Sequence, residues 1–422
     1  MYKLTTLDNG LRVMTKRMPG MHSFAVGLWL KTGGRYENEQ DQGISHFIEH
    51  MLFKGTQNRS CQQLKRDVEE KGGAFNAFTS EEAVCYYIRM LSEHIGLASE
   101  VLSDMVLNPS FLSNEIEKER KVIYEEIRMY LDLPMHYVHD LLDELIWPNH
   151  ALGLPLLGNY DTVGAFKRKD FIQRKETFHQ PNNIVAVCCG EIDHDQFVDI
   201  MDSLFKNTKS SKRIGSTKIE KAPAHPAAKF FYKDTEQSHL CLGVRGFSKE
   251  DPQRYALAML NIILGGNMSS RLFNEIREKR SLAYEIGSSA KFYSDTGSFL
   301  VHAGVDNKKG LEAVSVIMNE LRKAVNKDVS NEEFNMAKEY YRSGVLMGLE
   351  DTMSNMLFLG EQMTTMDMIF TKDEVLKMVD KVTIDMLKSA AERLFQTENL
   401  RLAMIGPQSK KEQKEIETLL TI

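Results

Sequence analysis

The stretch GISHFIEHMLFKGT, residues 43–56, places two histidines four residues apart and a glutamate directly before the second. His46 and His50 would share one face of an α-helix, and two imidazoles placed in this way can bind one Zn²⁺ ion. Glu49 beside them could act as a general base toward water. At 100° per residue the apolar side chains fall on the opposite stripe: Ile44, Phe47, Ile48, Met51 and Leu52. The alternative is the solvated polar face of an ordinary amphipathic helix that contains histidine by chance.

The segment NEIEKERKVIYEEIRMYL, residues 114–131, could supply the third protein ligand that a catalytic zinc site requires. Glu119 and Glu126 lie along the edge of its apolar stripe, where a side chain can reach inward. Glu125 points to the opposite side and is expected in solvent. Helical periodicity therefore favours Glu126 or Glu119 over Glu125 as a buried carboxylate. Either could instead be a boundary residue whose stem lines the core and whose head reaches water.

The elements that must position these residues occur in two similar series. A strand, a helix, a further strand and two more helices follow one another in the first half, and the same order returns in the second half, where SHLCLGVRGFS is the first strand. Between them residues 208–224 are rich in Lys, Ser and Thr and are typical of a linker. We therefore expect an α+β fold of two homologous domains, 1–207 and 225–422, each an antiparallel sheet covered by helices on one face. The second half has no corresponding histidine pair, so one site per chain is expected.

The composition excludes several classes of protein. Of the 422 residues, 42% are apolar and 27% charged, and a formal charge of -6 leaves no basic footprint for nucleic acid. No apolar run reaches the length of a membrane span, so no membrane partner is expected. The first residues do not resemble a secretory signal, and the five scattered cysteines form no disulfide framework. These features predict a cytoplasmic enzyme or binding protein.

The HxxEH order resembles the inverted zinc motif of the inverzincins, the family of pitrilysin, insulin-degrading enzyme and the mitochondrial processing peptidase. In that family the third ligand is a glutamate about 76 residues after the second histidine, and another glutamate precedes it by seven. Glu126 and Glu119 stand at these two positions. The resemblance implies that His46, His50 and Glu126 bind Zn²⁺ and that Glu49 is the general base. It also implies that Glu119 orients the site from behind the ligands.

Two further segments resemble functional parts of the same family. GGAFNAFTS is similar to the substrate-binding edge strand, which implies that a peptide backbone docks at Asn76 and Ala77; a covered or merely solvated edge is the alternative. REKRSLAYEI is similar to the segment that supplies an arginine and a tyrosine to the active site. By this resemblance Arg277 and Tyr284 would donate hydrogen bonds to the oxyanion of amide hydrolysis. Without it, Arg277 would be an ordinary solvated charge on a helix.

With two domains in one chain, the protein resembles the two-domain bacterial processing-peptidase branch of this family, in which two chains close around a chamber. Each chain would form half of such a clamshell, and a homodimer is the simplest assembly because the zinc motif and the arginine–tyrosine pair occur in one sequence. The resemblance implies a zinc metalloendopeptidase acting on unfolded or short peptides. The alternative is a non-catalytic member of the family that serves as an assembly or partner-binding subunit.

Overall fold

A computed structural model describes residues 2–220, 225–327 and 329–422 of the chain. The last four residues of the predicted linker, 221–224, lie outside the described residues. The strands are β1 Tyr2–Thr6, β2 Arg12–Arg17, β3 Ser23–Leu30, β4 Ala74–Thr79, β5 Val84–Leu91, β6 Ile184–Gly190, β7 Ala227–Tyr232, β8 Gln237–Gly246, β9 Ala283–Phe292, β10 Gly297–Asp306 and β11 Arg401–Gly406.

The helices of eight or more residues occur mostly in runs between the strands, and most are amphipathic. They are joined by one shorter helix, α6. In chain order they are α1 Ile44–Leu52, α2 Cys61–Glu69, α3 Ile95–Leu107, α4 Ser113–Asp132, α5 Pro134–Ile146, α6 Tyr160–Ala165, α7 Arg168–Phe178, α8 His194–Phe205, α9 Arg254–Leu264, α10 Gly310–Asn326, α11 Asn331–Gly348, α12 Thr352–Met366, α13 Lys372–Asp380, α14 Ile384–Leu394 and α15 Lys410–Thr418. Within the described ranges, no helix is both long and apolar enough to cross a membrane.

The strands form two sheets, one in each of two compact units. The first sheet has the order β1-β2-β6-β3-β5-β4 and the second the order β7-β11-β8-β10-β9. The predicted α+β class with two similar halves is confirmed. Each sheet is mixed rather than purely antiparallel, because β2 pairs with β6 and β7 with β11 in parallel. A parallel pair needs a long connection, and both pairs join strands that are far apart in sequence.

The compact units are not contiguous in sequence, which differs from the boundaries expected at 207 and 225. The first unit contains the residues up to Arg128, Leu154–Thr217 and Met347–Thr371. The second contains Met129–Gly153, Lys218–Leu346 and Lys372–Ile422. Each unit therefore takes one helical segment, α12 or α5, from the opposite half of the sequence.

The exchanged helices cover the face of each sheet that the sequence analysis left open. In the first unit α12 packs on β3 and β6, where the indole Nε1–H of Trp29 lies 3.3 Å from the sulfur of Met356. Gly360 permits this approach, because a Cβ there would lie 2.0 Å from Trp29 Nε1. In the second unit α5 packs on β8 and β11. Both central strands β3 and β6 are consequently apolar on both faces, which explains runs such as IVAVCC.

Candidate active site

Helix α1 presents the histidine pair, and its beginning is fixed by two local features. Gly43, the residue before the helix, has φ of 88°, and a Cβ there would lie 2.6 Å from the Leu157 carbonyl oxygen. The buried carboxylate of Glu37 accepts hydrogen bonds from the backbone N–H groups of Gly43 and Ser45, both at 2.8 Å. These bonds satisfy donors that a helix N-terminus leaves free. The predicted apolar stripe of α1 is confirmed, since all five of its residues are buried.

Helix α4 brings Glu126 to the two imidazoles. The Oε2 atom of Glu126 lies 3.8 Å from His46 Nε2 and 3.7 Å from His50 Nε2. Glu125, the adjacent residue, points into solvent and forms an ion pair with Arg128 at 3.0 Å. The helical period thus distinguishes the two neighbouring glutamates as the sequence analysis predicted.

Periodicity did not decide between Glu119 and Glu126. Glu119 lies behind His50, away from the point where Glu126 Oε2 meets the two histidine Nε2 atoms. The Nδ1–H of His50 donates to Glu119 Oε1 at 2.9 Å, and Lys54 Nζ lies 2.5 Å from Glu119 Oε2. Burial raises the pKa of Glu119, but the hydrogen bonds from His50 and Lys54 outweigh it, so the net shift is downward. The ionised Glu119 therefore fixes the His50 tautomer that leaves Nε2 free to accept a metal.

The two histidines have opposite electrostatic environments. Burial and the neighbouring His50 ring lower the pKa of His46 to about 3, and among the described residues no group forms a hydrogen bond with His46 Nδ1. Burial also lowers the pKa of His50, but its hydrogen bond to Glu119 and the charges of Glu126, Glu119 and Glu49 outweigh burial and raise it overall. At neutral pH His46 is consequently an uncharged imidazole with a free lone pair.

Glu49 points to the same side of α1 and contacts strand β4. The hydroxyl of Thr79, the last residue of β4, donates to Glu49 Oε2 at 2.6 Å. Burial raises the pKa of Glu49, and the hydrogen bond from Thr79 opposes that shift. A partly buried carboxylate with a raised pKa is better matched to accepting a proton near neutral pH than a solvated one.

The donor set fits a zinc ion. One ligand atom each from His46, His50 and Glu126 can be chosen so that all three lie within 4.8 Å of one another. Tetrahedral ligands about 2.0–2.1 Å from zinc are roughly 3.3 Å apart, so the 3.8 and 3.7 Å separations of Glu126 Oε2 from the two Nε2 atoms would shorten slightly around the ion. Lys54 is the ion-pair partner of Glu119, whereas the carboxylate of Glu126 faces the two histidines, where a divalent cation would balance its negative charge. Two imidazoles and one carboxylate are also a ligand combination that zinc uses in catalytic sites.

The strand that carries Thr79 is an edge of the first sheet. Strand β4 pairs with β5, and it has no neighbour on its other side among the described strands. The side chain of Asn76 is exposed, and its Oδ1 accepts a hydrogen bond from the Ala77 N–H at 2.8 Å. An edge of this kind can accept another extended chain through its main-chain groups. No further strand covers this edge among the described strands, and the merely solvated edge considered from the sequence stays an alternative to peptide docking.

Arg277 and Tyr284 belong to the second unit and contact each other there. The guanidinium carbon of Arg277 lies 4.8 Å from the ring centres of both Phe273 and Tyr284. Arg277 is carried by a short π-helical segment, Phe273–Glu278, rather than by a regular α-helix. The Tyr284 side chain is 77% exposed, so Tyr284 is not part of a core. Cation–π contacts with two rings restrict the guanidinium, and the exposure of Tyr284 leaves its hydroxyl accessible.

Sequence reasoning missed two residues of this arrangement, Lys54 and Thr79. Lys54 follows His50 by four positions, so helical spacing could have predicted that the two side chains lie next to each other. Thr79 lies in the strand already singled out for Asn76 and Ala77, but no local pattern indicates that its hydroxyl meets Glu49.

Comparison with known protein families agrees with the geometry. Residues 12–160 match the profile described as insulinase, peptidase family M16, and residues 165–341 match the profile described as its inactive domain. The chain is 36% identical over 408 residues to the uncharacterized zinc protease YmxG of Bacillus subtilis, covering 96% of this chain and 98% of that protein. It is 33% identical over 413 residues to an uncharacterized zinc protease of Mycobacterium leprae, covering 96% and 92%.

Solved structures share the fold. A protease from Helicobacter pylori superimposes with a TM-score of 0.92 at 20% identity, covering 96% of this chain and 99% of that one. A putative M16-like peptidase from Alicyclobacillus acidocaldarius gives a TM-score of 0.84 at 18% identity, covering 96% and 98%. The sequence relatives, the two family profiles and the shared fold together show that this chain belongs to the insulinase family of peptidases.

Proposed function

We propose that the protein is a zinc metalloendopeptidase that hydrolyses peptide bonds in unfolded or short peptides. The observation that carries the proposal is the convergence of Glu126 Oε2 on the Nε2 atoms of His46 and His50, at 3.8 and 3.7 Å, beside the carboxylate of Glu49. A cluster with only a structural role would not need the carboxylate of Glu126 to face the Nε2 atoms of both histidines. The names of the sequence relatives, which call them zinc proteases, support the same assignment.

The proposed chemistry divides between the metal and the side chains. His46, His50 and Glu126 would hold zinc, which supplies Lewis-acid activation of water and of the scissile carbonyl. Glu49 would take the proton of the attacking water and return it to the leaving amine. Glu119 would keep the His50 ring in its binding orientation through the 2.9 Å hydrogen bond.

The remaining site residues extend the proposal to the substrate. A peptide would add to the edge strand β4 at Asn76 and Ala77 through main-chain hydrogen bonds, which suits substrates of varied sequence. The tyrosine hydroxyl of Tyr284 and the guanidinium of Arg277 would donate to the developing oxyanion. We also propose a homodimer that encloses the substrate, and a cytoplasmic location; the five free thiols support a reducing compartment.

The substitution Glu49→Gln tests the assignment. We expect the variant to retain zinc and to lose turnover of a quenched fluorescent peptide, because the amide cannot accept the proton while the three ligands are unchanged. Glu125→Gln is the matched control, since Glu125 is solvent-exposed on α4, and it should retain full activity. Near-normal activity of Glu49→Gln would show that the mechanism is wrong. A wild-type protein that binds zinc but cleaves no peptide would favour the non-catalytic assembly subunit.

A mixed dimer tests the proposed assembly. If each site combines the zinc of one chain with Arg277 and Tyr284 of the other, a dimer of one Glu49→Gln chain and one Tyr284→Phe chain contains one intact site. Random association makes half of the dimers mixed, so activity should recover to about a quarter of the wild-type value. Each variant co-expressed with itself under a second tag is the control. Recovery near zero in mixed dimers isolated by tandem purification would exclude the exchange of site residues between chains.

A further inference from the structure

The carboxylate of Glu49 has one hydrogen-bond donor among the described residues, and it is the hydroxyl of Thr79. The Thr79 Oγ1 to Glu49 Oε2 distance is 2.6 Å, short enough for a charge-assisted bond to a carboxylate. A glutamate side chain has three rotatable bonds, and a donor at its tip removes much of that freedom. Threonine is suited to this task because branching at Cβ restricts its own χ1 rotation.

The backbone of Thr79 is fixed by the turn that follows it. The Ser80 N–H donates to the Ala83 carbonyl at 2.9 Å, and the Ser80 hydroxyl donates to the same carbonyl at 2.8 Å. The next part of this turn is held by an ion pair between Arg35 and Glu82, both buried, at 2.7 Å. The hydroxyl that meets Glu49 is therefore presented from a constrained segment and not from a free loop end.

Thr79 also connects Glu49 with the edge of the sheet. Asn76 and Ala77 precede it by three and two residues in β4, whose free edge is the place where the proposed substrate adds. One short strand thus carries both the substrate-docking groups and the donor to the base. An arrangement of this kind holds the reacting partners in fixed relation, which is how positioning contributes to rate.

We propose that Thr79 is a positioning residue that holds Glu49 in the rotamer from which it accepts the proton of the attacking water. This inference rests on the proposed function, because it assigns Glu49 as the base. It separates Thr79 from the docking residues of the same strand: Thr79 acts through Glu49, and it does not bind the peptide.

The test compares Thr79→Val, which replaces the hydroxyl by a methyl of similar volume, with Thr79→Ser, which keeps the hydroxyl. We expect Thr79→Val to lower kcat about tenfold to a hundredfold, the range for losing a hydrogen bond to a charged group. KM for a quenched peptide should stay within about twofold, and zinc content should be unchanged. Thr79→Ser should restore kcat to within about threefold of wild type. Thr177→Val is the control, since that hydroxyl donates to the carbonyl of Gln173 on an exposed turn of α7 and has no other partner in the part of the chain that the structure describes.

Two outcomes would overturn the proposal. A rise in KM with kcat unchanged would make Thr79 a docking residue, and equal loss of kcat in the serine and valine variants would make the hydroxyl irrelevant. If Thr79→Val does not fold, as judged by thermal unfolding, the comparison of Thr79→Ala with Thr79→Ser replaces it.

A double-mutant cycle supplies an independent check. Glu49→Asp withdraws the carboxylate from Thr79 by one methylene, so adding Thr79→Val to Glu49→Asp should change kcat by less than about twofold. Multiplicative losses would mean that Thr79 acts independently of Glu49 and would contradict the inference.

Peptide binding to the metal-free Thr79→Val protein, measured by fluorescence anisotropy, should equal that of metal-free wild type. Absence of any peptidase activity in the wild-type protein would instead refute the proposed function, which keeps the two failures distinct.

Discussion

Removal of the Glu119 carboxylate should weaken zinc binding, although Glu119 is not one of the three proposed ligands. The effect is expected to pass through its hydrogen bond to His50. Glu119 is only 5% exposed and bonds His50 Nδ1 at 2.9 Å and Lys54 Nζ at 2.5 Å. Lys54 retains access to water, so the loss of its partner is partly compensated by hydration, and the His50 bond dominates the effect. A hydrogen bond to a charged group contributes about 1.5–3 kcal/mol, which corresponds to roughly 10- to 150-fold in affinity.

We therefore expect Glu119→Ala to raise the Kd for zinc about a hundredfold. Glu119→Gln should raise it about tenfold, because the amide oxygen can still accept from His50 but carries no charge. The assay is competition with a chromophoric chelator at pH 7.5, accompanied by thermal unfolding of the metal-free protein. Glu117→Gln on the same helix is the control, since Glu117 lies in solvent with Arg120 as its partner. A Kd for Glu119→Ala within about twofold of wild type, in a folded protein, would refute the role given to this carboxylate.

Three further predictions concern the same chain. Glu126→Gln should lose zinc while Glu125→Gln keeps it, and metal analysis of both purified variants decides between them; the reverse result would mean that α4 is rotated. Tyr284→Phe should lower kcat about 10²–10³-fold with zinc content unchanged, as for loss of one oxyanion donor, and an unchanged kcat on several peptides would remove Tyr284 from the site. Below the raised pKa of His50 the apparent zinc affinity should fall about tenfold per pH unit, because one proton must leave His50 as the metal binds. His46, whose pKa is about 3, should release no proton in this range, so any second proton would come from Glu126, whose pKa is raised by burial. A zinc affinity that does not change between pH 5 and 7 would contradict the raised pKa of His50.

Local periodicity was sufficient to find most residues of the proposed metal site. The pitch of a helix decides which side chains share a face, so the sequence alone placed His46, Glu49 and His50 opposite the apolar stripe of α1. The same reasoning separated Glu126 from Glu125, whose neighbouring positions point in different directions. It left Glu119 and Glu126 equivalent, because residues seven apart lie on one line, and their distinct partners come from α1.

The tertiary structure decided the features that depend on which surfaces meet. The apolar character of β3 and β6 on both faces is visible in the sequence. Which helices cover the sheets is not, because any apolar helix could pack on either sheet, and only the structure shows that α12 covers the first sheet and α5 the second. Parallel pairing of β2 with β6 was equally hidden, since strand partners far apart in sequence carry no local signal. The contact of Thr79 with Glu49 joins a strand and a helix thirty residues apart, and only their packing brings that hydroxyl within 2.6 Å of the carboxylate.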